Sequence, residues 1–537
     1  MAYVDSADVV PAMSRSDLSA RPNHSLLVYL VEAGRQGYFY FSAANLSAAV
    51  TADSAQAFYV PPSTDTSGAS GAWVRAGASD AIADVRWFGA DGDTDADDTT
   101  AMQAAVDWLN ARRGRTLQIP ATARSFSFSS DLVILQDNVR IEGVGGGYGK
   151  LRGNGGAKIV LGRADPQPPA SKPAKSGTKV SYCTLSALAI QPAGNHEGPC
   201  VLLDYADSTL IELCDIGPST QDGSTFTIGI KTNWVQWVYI DRNLINVNGA
   251  CLWLRRPTTQ TQNEDHFHIT RNQLYNGKYP PTGICDPVNG DCTPANIVIA
   301  GDENCTYAMF ELEISGNHFL KALAGPNAKD VMTGGIRLVG SDDSGDYRSL
   351  NCGNIINNFF EYVNYPIDFA RGLKGATDSS AINFTGNSVL SATLVFNGSG
   401  TTKATATLGG NYFLQCDTIV DGVRCFFNGY NRYSSIGKLS VQPLNNHRIA
   451  HKQTGAGSLS SIRLEARGTS PAAAGQTFVD ITHGLSMTPT DFSVISTTSG
   501  WTPNFWVSAA TATSFRVNFT DPGATKYLRW TASVADA

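Results

Sequence analysis

The sequence has 537 residues, which is more than one globular domain usually holds, and it combines 52 glycines with only 16% charged residues. The net charge of −7 and the lack of any basic cluster of five residues argue against a nucleic-acid partner, because phosphate neutralisation requires concentrated Lys and Arg. No apolar run approaches the roughly 18 residues of a membrane span, so no membrane insertion is expected.

Residues 1–80 are predicted to form a small N-terminal β region. The apolar and aromatic runs at 26–30 and 38–41 are typical of strands. The segment 61–71 is rich in Ser, Thr, Gly and Pro, which is typical of a linker. Residues 1–5 contain no basic stretch followed by an apolar core, so a Sec signal peptide is not expected.

The next segment, at 85–106, contains the most specific motif of the chain and reads VRWFGADGDTDADDTTAMQAAV. A helix is predicted over about 98–111, because Met102, Val106 and Leu109 recur at the spacing of one helical face.

This motif resembles the opening of the pectate-lyase-like superfamily, which occurs in phage tailspikes and related glycan-degrading enzymes, although Thr94 stands where that family often has Gly. The resemblance implies an all-β fold, a right-handed single-stranded parallel β-helix capped by the helix. It further implies a homotrimer that cleaves a bacterial capsular or exopolysaccharide internally. Such a protein belongs to the tail of a phage virion, or acts outside the host cell after lysis.

Residues 81–435 are predicted to form the parallel β-helix. From about 130 to 435 they carry a degenerate repeat, which is the sequence signature of a solenoid. In each unit an apolar residue lies three positions before a bend and another lies two positions after it. Successive bends are mostly 24 to 29 residues apart, but the intervals 272–317 and 317–358 span 45 and 41 residues. Asn amides at stacked bends can hydrogen-bond one another across coils about 4.8 Å apart. The predicted bends are Leu188, Cys214, Asn243, Asn272, Asn317, Asn358, Asn387 and Asn411.

The register also predicts which side chains leave the core, because alternate residues of a strand face opposite sides. We name two outward sets. The first row contains Trp237, His266 and Glu311. The second row contains Tyr239, His268, Glu313, Asn354 and Asn383.

These rows combine the residue types that glycoside hydrolysis requires. Aromatic rings stack on sugar rings, and carboxylates supply the acid and the base or nucleophile. We therefore predict Glu311 and Glu313 as catalytic carboxylates, with His266 and His268 as further catalytic residues. Trp237, Tyr239 and Asn354 are predicted substrate contacts.

The two long intervals are expected to form loops beside these rows, and long loops on a rigid scaffold usually carry function. A pair made of one strand glutamate and one loop aspartate agrees with the sequence as well as Glu311 with Glu313. The remaining candidates are Asp302 and Asp342 as catalytic carboxylates, and Arg255, Asp265 and Tyr347 as substrate contacts.

Residues 436–469 are polar and are predicted to be a linker. Residues 470–537 alternate as antiparallel strands do, and are predicted to form a small C-terminal β-sandwich. That segment resembles the sandwiches that end many phage tail proteins, which implies a role in trimerisation or glycan binding.

Most of the ten cysteines lie in apolar strand contexts, so buried free thiols are expected. Cys285 and Cys292 flank a turn-like segment and are candidates for a loop disulfide under oxidising conditions. No Cys/His spacing typical of zinc is present, and neither a metal nor a cofactor is expected.

Two alternatives to hydrolysis remain open. The first is a polysaccharide lyase acting by β-elimination, in which His266, His268 or Tyr239 would remove a proton from a uronate. The second is a glycan-binding tail fibre without catalytic activity.

Overall fold

The structure is a computed structural model that describes residues 9–533, with gaps. The gaps are 23–26, 78–80, 165–176, 221, 257–263, 277–294, 302–308, 322–333, 340–351, 370–380, 399–404, 422–423, 428–430, 435–437, 440–450, 454–459, 462–464, 484–487, 499 and 512. The chain divides into two compact units. The first unit comprises Met1–Glu313 and Lys321–Val331, and the second comprises Ile314–Leu320 and Met332–Ala537.

The first unit begins with a five-stranded sheet around a core that contains Phe39 and Trp73, both fully buried. In sheet order its strands are Val9–Ala12, Leu27–Leu30, Gly37–Ser42, Ala72–Arg75 and Tyr59–Val60. Two short helices accompany it, Arg15–Ala20 and Ser47–Ala52. The predicted strands at 26–30 and 38–41 correspond to the second and third strands of this sheet.

The motif forms a 3-10 turn over Val85–Phe88 and a helix over Thr99–Asn110. As the helical spacing predicted, Met102, Val106 and Leu109 are buried. Gly92 adopts a φ of +64°, and a Cβ there would approach the Phe126 ring to 2.6 Å, so both backbone conformation and space require glycine.

Parallel strands of the first unit then stack on three faces, which we call face 1, face 2 and face 3. Face 1 contains Ile82–Asp84, Thr116–Pro120, Arg140–Val144, Thr184–Ser186, Ala206–Glu212, Val235–Asp241 and Glu264–Thr270, with Val180–Ser181 paired beside them. Face 2 contains Phe126–Phe128, Gly149–Asn154, Leu188–Ala193, Asp215–Ile216, Leu244–Val247 and Gln273–Asn276. Face 3 contains Leu132–Ile134, Ile159–Leu161, His196–Leu203, Phe226–Thr232, Ala250–Arg256 and Ala295–Gly301. A separate antiparallel pair joins Arg163–Ala164 to Gly177–Thr178.

The strands Met309–Ser315 on face 1 and His318–Lys321 on face 2 each contain residues of both units. The second unit has the same three parallel faces. Its face 1 contains Cys352–Ile356, Ala381–Thr385, Thr405–Gly409 and Arg424–Phe427. Its face 2 contains Phe359–Glu361, Ser388–Leu390, Tyr412–Leu414, Asn431–Ser434 and His451–Gln453. Its face 3 contains Gly334–Val339, Tyr365–Phe369, Leu394–Gly398, Thr418–Asp421, Lys438–Leu439 and Ser460–Ser461.

Buried Asn ladders join successive coils between face 1 and face 2. In the first unit the Asn243 amide donates from Nδ2 to Asn272 Oδ1 at 2.9 Å and to the Ile211 carbonyl at 2.9 Å. In the second unit each backbone N–H of the ladder donates to the Oδ1 of the next Asn at 2.9 to 3.0 Å. That ladder runs through Asn317, Asn358, Asn387, Asn411 and Asn431. The predicted bends are confirmed, and the ladder extends one coil further, to Asn431.

Apolar residues fill the interior, as the alternation predicted. In the first unit Val238, Ile240, Phe267 and Ile269 are fully buried. In the second unit the rings of Phe319 and Phe360 stack at 4.4 Å with an interplanar angle of 10°. Stacking of like side chains in register is expected where each coil repeats the one before it. The parallel β-helix predicted from the sequence is confirmed.

The predicted linker at 436–469 contains strands. Lys438–Leu439, His451–Gln453 and Ser460–Ser461 continue the parallel faces of the second unit. Glu465–Ala472 already belongs to the C-terminal sandwich. The three strands that continue the parallel faces are only two or three residues long, so they give no periodic signal.

Two antiparallel three-stranded sheets form that C-terminal sandwich, as predicted. One sheet contains Glu465–Ala472, Lys526–Ser533 and Asp491–Ser496, and the other contains Phe478–Thr482, Ser514–Asn518 and Trp506–Ser508. Residues of both sheets, including Ile481, Phe515, Leu528 and Trp530, share one buried core.

Five cysteines of the described chain are free and buried, as expected: Cys183, Cys200, Cys214, Cys251 and Cys416. Cys285 and Cys292, the candidate disulfide, lie outside the described residues. Among the helices that the structure describes, none is both long and apolar enough to cross a membrane.

Candidate active site

The first row forms a continuous stack on face 1 of the first unit. The Trp237 and His266 rings lie parallel, with centroids 3.5 Å apart and an interplanar angle of 12°. His266 Nε2 lies 2.6 Å from Glu311 Oε2. The indole, the imidazole and the carboxylate therefore follow one another across three strands. Trp237 is 42% exposed, so its ring is accessible to a ligand.

A stacked backbone irregularity underlies this row. Ser208, Trp237, His266 and Glu311 have φ values of 49°, 53°, 64° and 50°. The pairing skips Ser208 and Trp237, one residue on each strand, and then continues in the same register. Left-handed backbone is unfavourable for residues with a Cβ and clusters at functional sites. The left-handed residue in each strand changes the alternation of inward and outward side chains directly before the second row.

The second row repeats the same order of side chains two residues along. The Tyr239 and His268 rings stack at 5.0 Å with an interplanar angle of 3°. His268 Nδ1 lies 3.2 Å from Glu313 Oε2. An aromatic ring, an imidazole and a carboxylate thus lie side by side in two parallel rows.

The two histidines contact their glutamates through different ring nitrogens, and for His266 the surroundings also indicate the tautomer. His266 Nδ1 is buried and has no hydrogen-bond partner among the described residues. A buried N–H without a partner is more unfavourable than a buried lone pair on nitrogen. We therefore assign the proton of a neutral His266 to Nε2, which donates to Glu311.

The second unit carries the other predicted members of the second row. Asn354 and Asn383 are directly paired on face 1, and Asn383 Nδ2 donates to Asn354 Oδ1 at 3.3 Å. Thr385 Oγ1 donates to Asn383 Oδ1 at 2.6 Å. Both amides are exposed and can offer hydrogen bonds to a ligand.

An ionic ladder, which the sequence did not predict, follows the second row toward the bend. Arg271 Nη2 and Arg242 Nε contact Asp241 Oδ2 at 2.6 and 2.9 Å, and Thr270 Oγ1 donates to Asp241 Oδ1 at 2.6 Å. Arg242 Nη2 also contacts Glu212 Oε2 at 2.9 Å. Burial raises the pKa of Asp241, but hydrogen bonds from Thr270, Arg271 and Arg242 outweigh it and leave the pKa below its usual value.

The other predicted site residues lie elsewhere or outside the described part. Arg255 lies on face 3, not face 1, where its Nη1 donates to Asn233 Oδ1 at 2.9 Å. The structure therefore does not bring Arg255 into the rows. Asp265 lies in the strand Glu264–Thr270, but its side chain is outside the described part. Asp302, Asp342 and Tyr347 also lie outside the described residues.

A comparable cluster on face 2 of the second unit was missed. His318 stacks on Phe359 at 5.0 Å, and its Nε2 donates to Glu361 Oε2 at 2.8 Å. The signal was present, because His318 and Phe359 each directly follow a bend asparagine and Glu361 lies two positions further on. The two rows predicted from the sequence contain only outward positions that precede the bends. Across the described residues, no group of three His, Cys, Asp or Glu side chains is placed to hold a metal ion.

No protein-family model matches the sequence, and no curated protein matches it either. Among solved structures, this chain is similar to the tailspike protein of Acinetobacter baumannii bacteriophage Fri1, a capsular polysaccharide depolymerase. The similarity has 10% sequence identity and a TM-score of 0.53, and it covers 98% of each chain. The tailspike protein of E. coli bacteriophage HK620, solved as a double mutant, is similar at 11% identity over 82% of this chain and 90% of that one, with a TM-score of 0.43. The similarity to the Fri1 protein extends over nearly the whole of both chains, and it shows that this chain has the fold of a phage tailspike protein.

Proposed function

We propose that this protein is an endo-acting depolymerase of a bacterial surface polysaccharide, and that it cleaves by glycoside hydrolysis at the two rows on face 1. The observation that carries the proposal is the pair of His–Glu contacts, at 2.6 and 3.2 Å, each stacked beneath an exposed aromatic ring. The similar Fri1 tailspike, which is itself a capsular polysaccharide depolymerase, supports the choice of substrate class.

In this proposal the aromatic rings bind the sugar and the carboxylates carry out the reaction. Trp237 and Tyr239 each stack on an imidazole with one face, and we assign the exposed part of each ring to contact with the apolar C–H groups of a sugar ring. Glu311 and Glu313 stand two residues apart on one strand, so their Cα atoms are separated by about 7 Å. One carboxyl donates a proton to the glycosidic oxygen, and the other acts as nucleophile or activates water.

The histidines act as positioning residues in this scheme. Each imidazole donates to one carboxylate oxygen, which restricts the carboxylate rotamer. Such support matters because Glu311 is 63% exposed and would otherwise be mobile. The proposal includes a homotrimer located in a phage tail, as in the family that the sequence motif resembles.

β-Elimination is the second candidate, because one observation favours it. His268 lies between Tyr239 and Glu313 in van der Waals and hydrogen-bond contact respectively, so an imidazole or phenol base stands on the proposed sugar-binding surface. A lyase breaks the C–O bond and leaves an unsaturated uronate end, whereas a hydrolase adds water across that bond.

The test is to digest capsular polysaccharides purified from typed bacterial strains and to analyse the oligosaccharides by mass spectrometry and ultraviolet absorbance. Products that carry one added water and do not absorb support hydrolysis. Unsaturated, absorbing products would establish a lyase and overturn the hydrolytic assignment.

Variants then locate the site. Glu311→Gln and Glu313→Gln are expected to lower cleavage on the order of 10²-fold to 10⁴-fold, since each removes acid–base or nucleophilic chemistry. Glu197→Gln, an exposed glutamate of face 3, is the matched control and should cleave as the parent does. If both row variants retain parental cleavage, the catalytic centre lies elsewhere, and if the parent cleaves none of the polysaccharides the protein is a binding fibre.

A further inference from the structure

Face 2 of the second unit carries an outward row that the proposed hydrolysis does not use. We call it the third row. It is defined by paired positions on successive strands, and its members are His318, Phe359, Ser388, Tyr412 and Arg432. Phe359 is 37% exposed and Tyr412 is 38% exposed. Both rings therefore face solvent although each has a fully buried core residue, Phe360 or Phe413, as its neighbour in the chain.

The small side chain of Ser388 leaves a gap between the aromatic rings of Phe359 and Tyr412 in this row. Successive parallel strands lie about 4.8 Å apart, so Phe359 and Tyr412 are separated by about 9.6 Å across Ser388. A serine side chain is short and hydrophilic. The row thus alternates an aromatic ring, a small hydroxyl and a second aromatic ring, rather than forming a continuous apolar strip.

Polar groups lie within the row and on its side toward the next turn. His318 stacks on Phe359 and donates to Glu361, whose side chain leaves the same face. At the next turn Ser391 Oγ donates to Gln415 Oε1 at 3.1 Å. Rings with fixed hydrogen-bonding groups at their edges match the two surfaces of a sugar ring, apolar on its face and hydroxylated at its rim.

We propose that the third row is a second saccharide-binding surface, which holds the polysaccharide without cleaving it. This inference rests on the proposed function only in that the bound polymer is taken to be the same polysaccharide. Cleavage is not expected there because hydrolysis requires two carboxyl groups, and the outward side chains of these strands supply one, Glu361, in the described part. Binding at a second place would keep a long polymer attached between successive cleavages.

A subunit interface is the competing use of exposed aromatic rings, and the residues of this row argue against it. The cores of protein interfaces are depleted in charged residues. Here the hydrogen-bonded side chains of His318 and Glu361, which are 31% and 26% exposed, stand beside Phe359, on which His318 stacks. Burying these two polar groups under a second copy of the chain would remove their hydration, which is unfavourable.

The experiment measures binding separately from cleavage. The full-length double variant Glu311→Gln/Glu313→Gln serves as the background, and the probes are purified capsular polysaccharides of typed bacterial strains immobilised on an array and a biosensor. In that background Phe359→Ala and Tyr412→Ala are each expected to weaken binding of the retained polysaccharide roughly threefold to tenfold. Tyr412→Phe should bind as the background does, because it keeps the ring. Tyr182→Ala, which removes a ring 65% exposed in the first unit, is the matched control.

Several outcomes would overturn the proposal. These are no binding of any polysaccharide by the background protein, binding unaffected by loss of both rings, and a change of oligomeric mass in light scattering on loss of both rings. The last would assign the row to a subunit interface. The proposed function is tested independently, since Phe359→Ala/Tyr412→Ala with intact Glu311 and Glu313 should still cleave short oligosaccharides at the parental rate while cleaving long polymer more slowly.

Discussion

His266 donates from Nε2 to Glu311 across 2.6 Å, and this contact joins residues that are 45 positions apart in the sequence. The same imidazole stacks on the Trp237 ring, with the two ring centroids 3.5 Å apart. The imidazole is therefore held on one side by stacking and at its edge by a hydrogen bond. Its rotation is restricted, and so is the rotamer of the carboxylate that it contacts.

The first prediction concerns this positioning. His266→Ala is expected to lower kcat roughly tenfold to hundredfold, because a hydrogen bond to a charged group contributes about 1.5–3 kcal/mol. KM should change little, since the ring of Trp237 remains as the sugar platform. The measurement is steady-state cleavage of the polysaccharide that the parent degrades.

His266→Gln is the informative companion, because its side-chain amide can still donate to Glu311. Its kcat should lie closer to the parental value than that of His266→Ala. Equal kcat values for the two variants, or a change confined to KM, would contradict a positioning role.

The second prediction separates the two candidate reactions at Tyr239. Tyr239→Phe keeps the ring that stacks on His268 at 5.0 Å and removes only the hydroxyl. For hydrolysis at Glu311 and Glu313 we expect kcat within about threefold of the parent, as no step needs the phenol. Tyr239→Ala should instead raise KM about threefold to tenfold through the lost stacking surface. A hundredfold fall in kcat for Tyr239→Phe would identify the phenol as a base and favour elimination.

The sequence was sufficient to predict the rows because a β-helix repeats two simple rules. Side chains alternate along each strand, and each coil places equivalent residues above one another. Counting back from Asn243 therefore placed Tyr239 and Trp237 outside and Val238 inside, and the structure agrees. The same rules, applied after the bend, would also have predicted the outward position of Phe359.

The left-handed backbone of the first row was not predictable in this way. Trp237, His266 and Glu311 carry a Cβ, and residues of these types do not indicate a positive φ as glycine does. Before the left-handed residue Trp237 the alternation is shifted, so that Val235 is buried where counting from Asn243 would bury Gln236. The ion pairs of Asp241 were missed for a related reason, because their partners come from neighbouring coils and the bend.

The third prediction tests the Asn ladder as a source of stability. Asn358 accepts from the Asn317 backbone N–H at 2.9 Å and donates to the Ile314 carbonyl at 2.8 Å. Asn358→Ala leaves these buried groups without partners, which costs about 2–5 kcal/mol. We expect faster thermal inactivation at a fixed heating rate, with Asn383→Ala as an exposed control that unfolds as the parent does. Equal unfolding of Asn358→Ala and the parent would show that the ladder contributes no net stability.

The fourth prediction is a dependence of stability on pH at Asp241. Its pKa in the folded chain is below the unfolded value of about 3.9, because Thr270, Arg271 and Arg242 favour the carboxylate more than burial opposes it. Folding therefore gains from this group at every pH above the unfolded pKa, and the gain disappears as the pH falls through the folded pKa. Asp241→Asn, which has the same shape and no charge, removes this contribution to folding stability at every pH.

The measurable consequence is that the difference in unfolding temperature between the parent and Asp241→Asn decreases at acidic pH. Parent and Asp241→Asn should differ in unfolding temperature between pH 5 and pH 7, and the difference should shrink below about pH 4, where the parental carboxyl begins to be protonated in the unfolded chain. Asp480→Asn provides the comparison, because its pairing with Arg516 is exposed on the C-terminal sandwich and its removal should shift the unfolding temperature less. A difference that stays constant from pH 7 to pH 3 would mean that Asp241 acts through shape or hydrogen bonding alone and that its charge is not held by the two arginines.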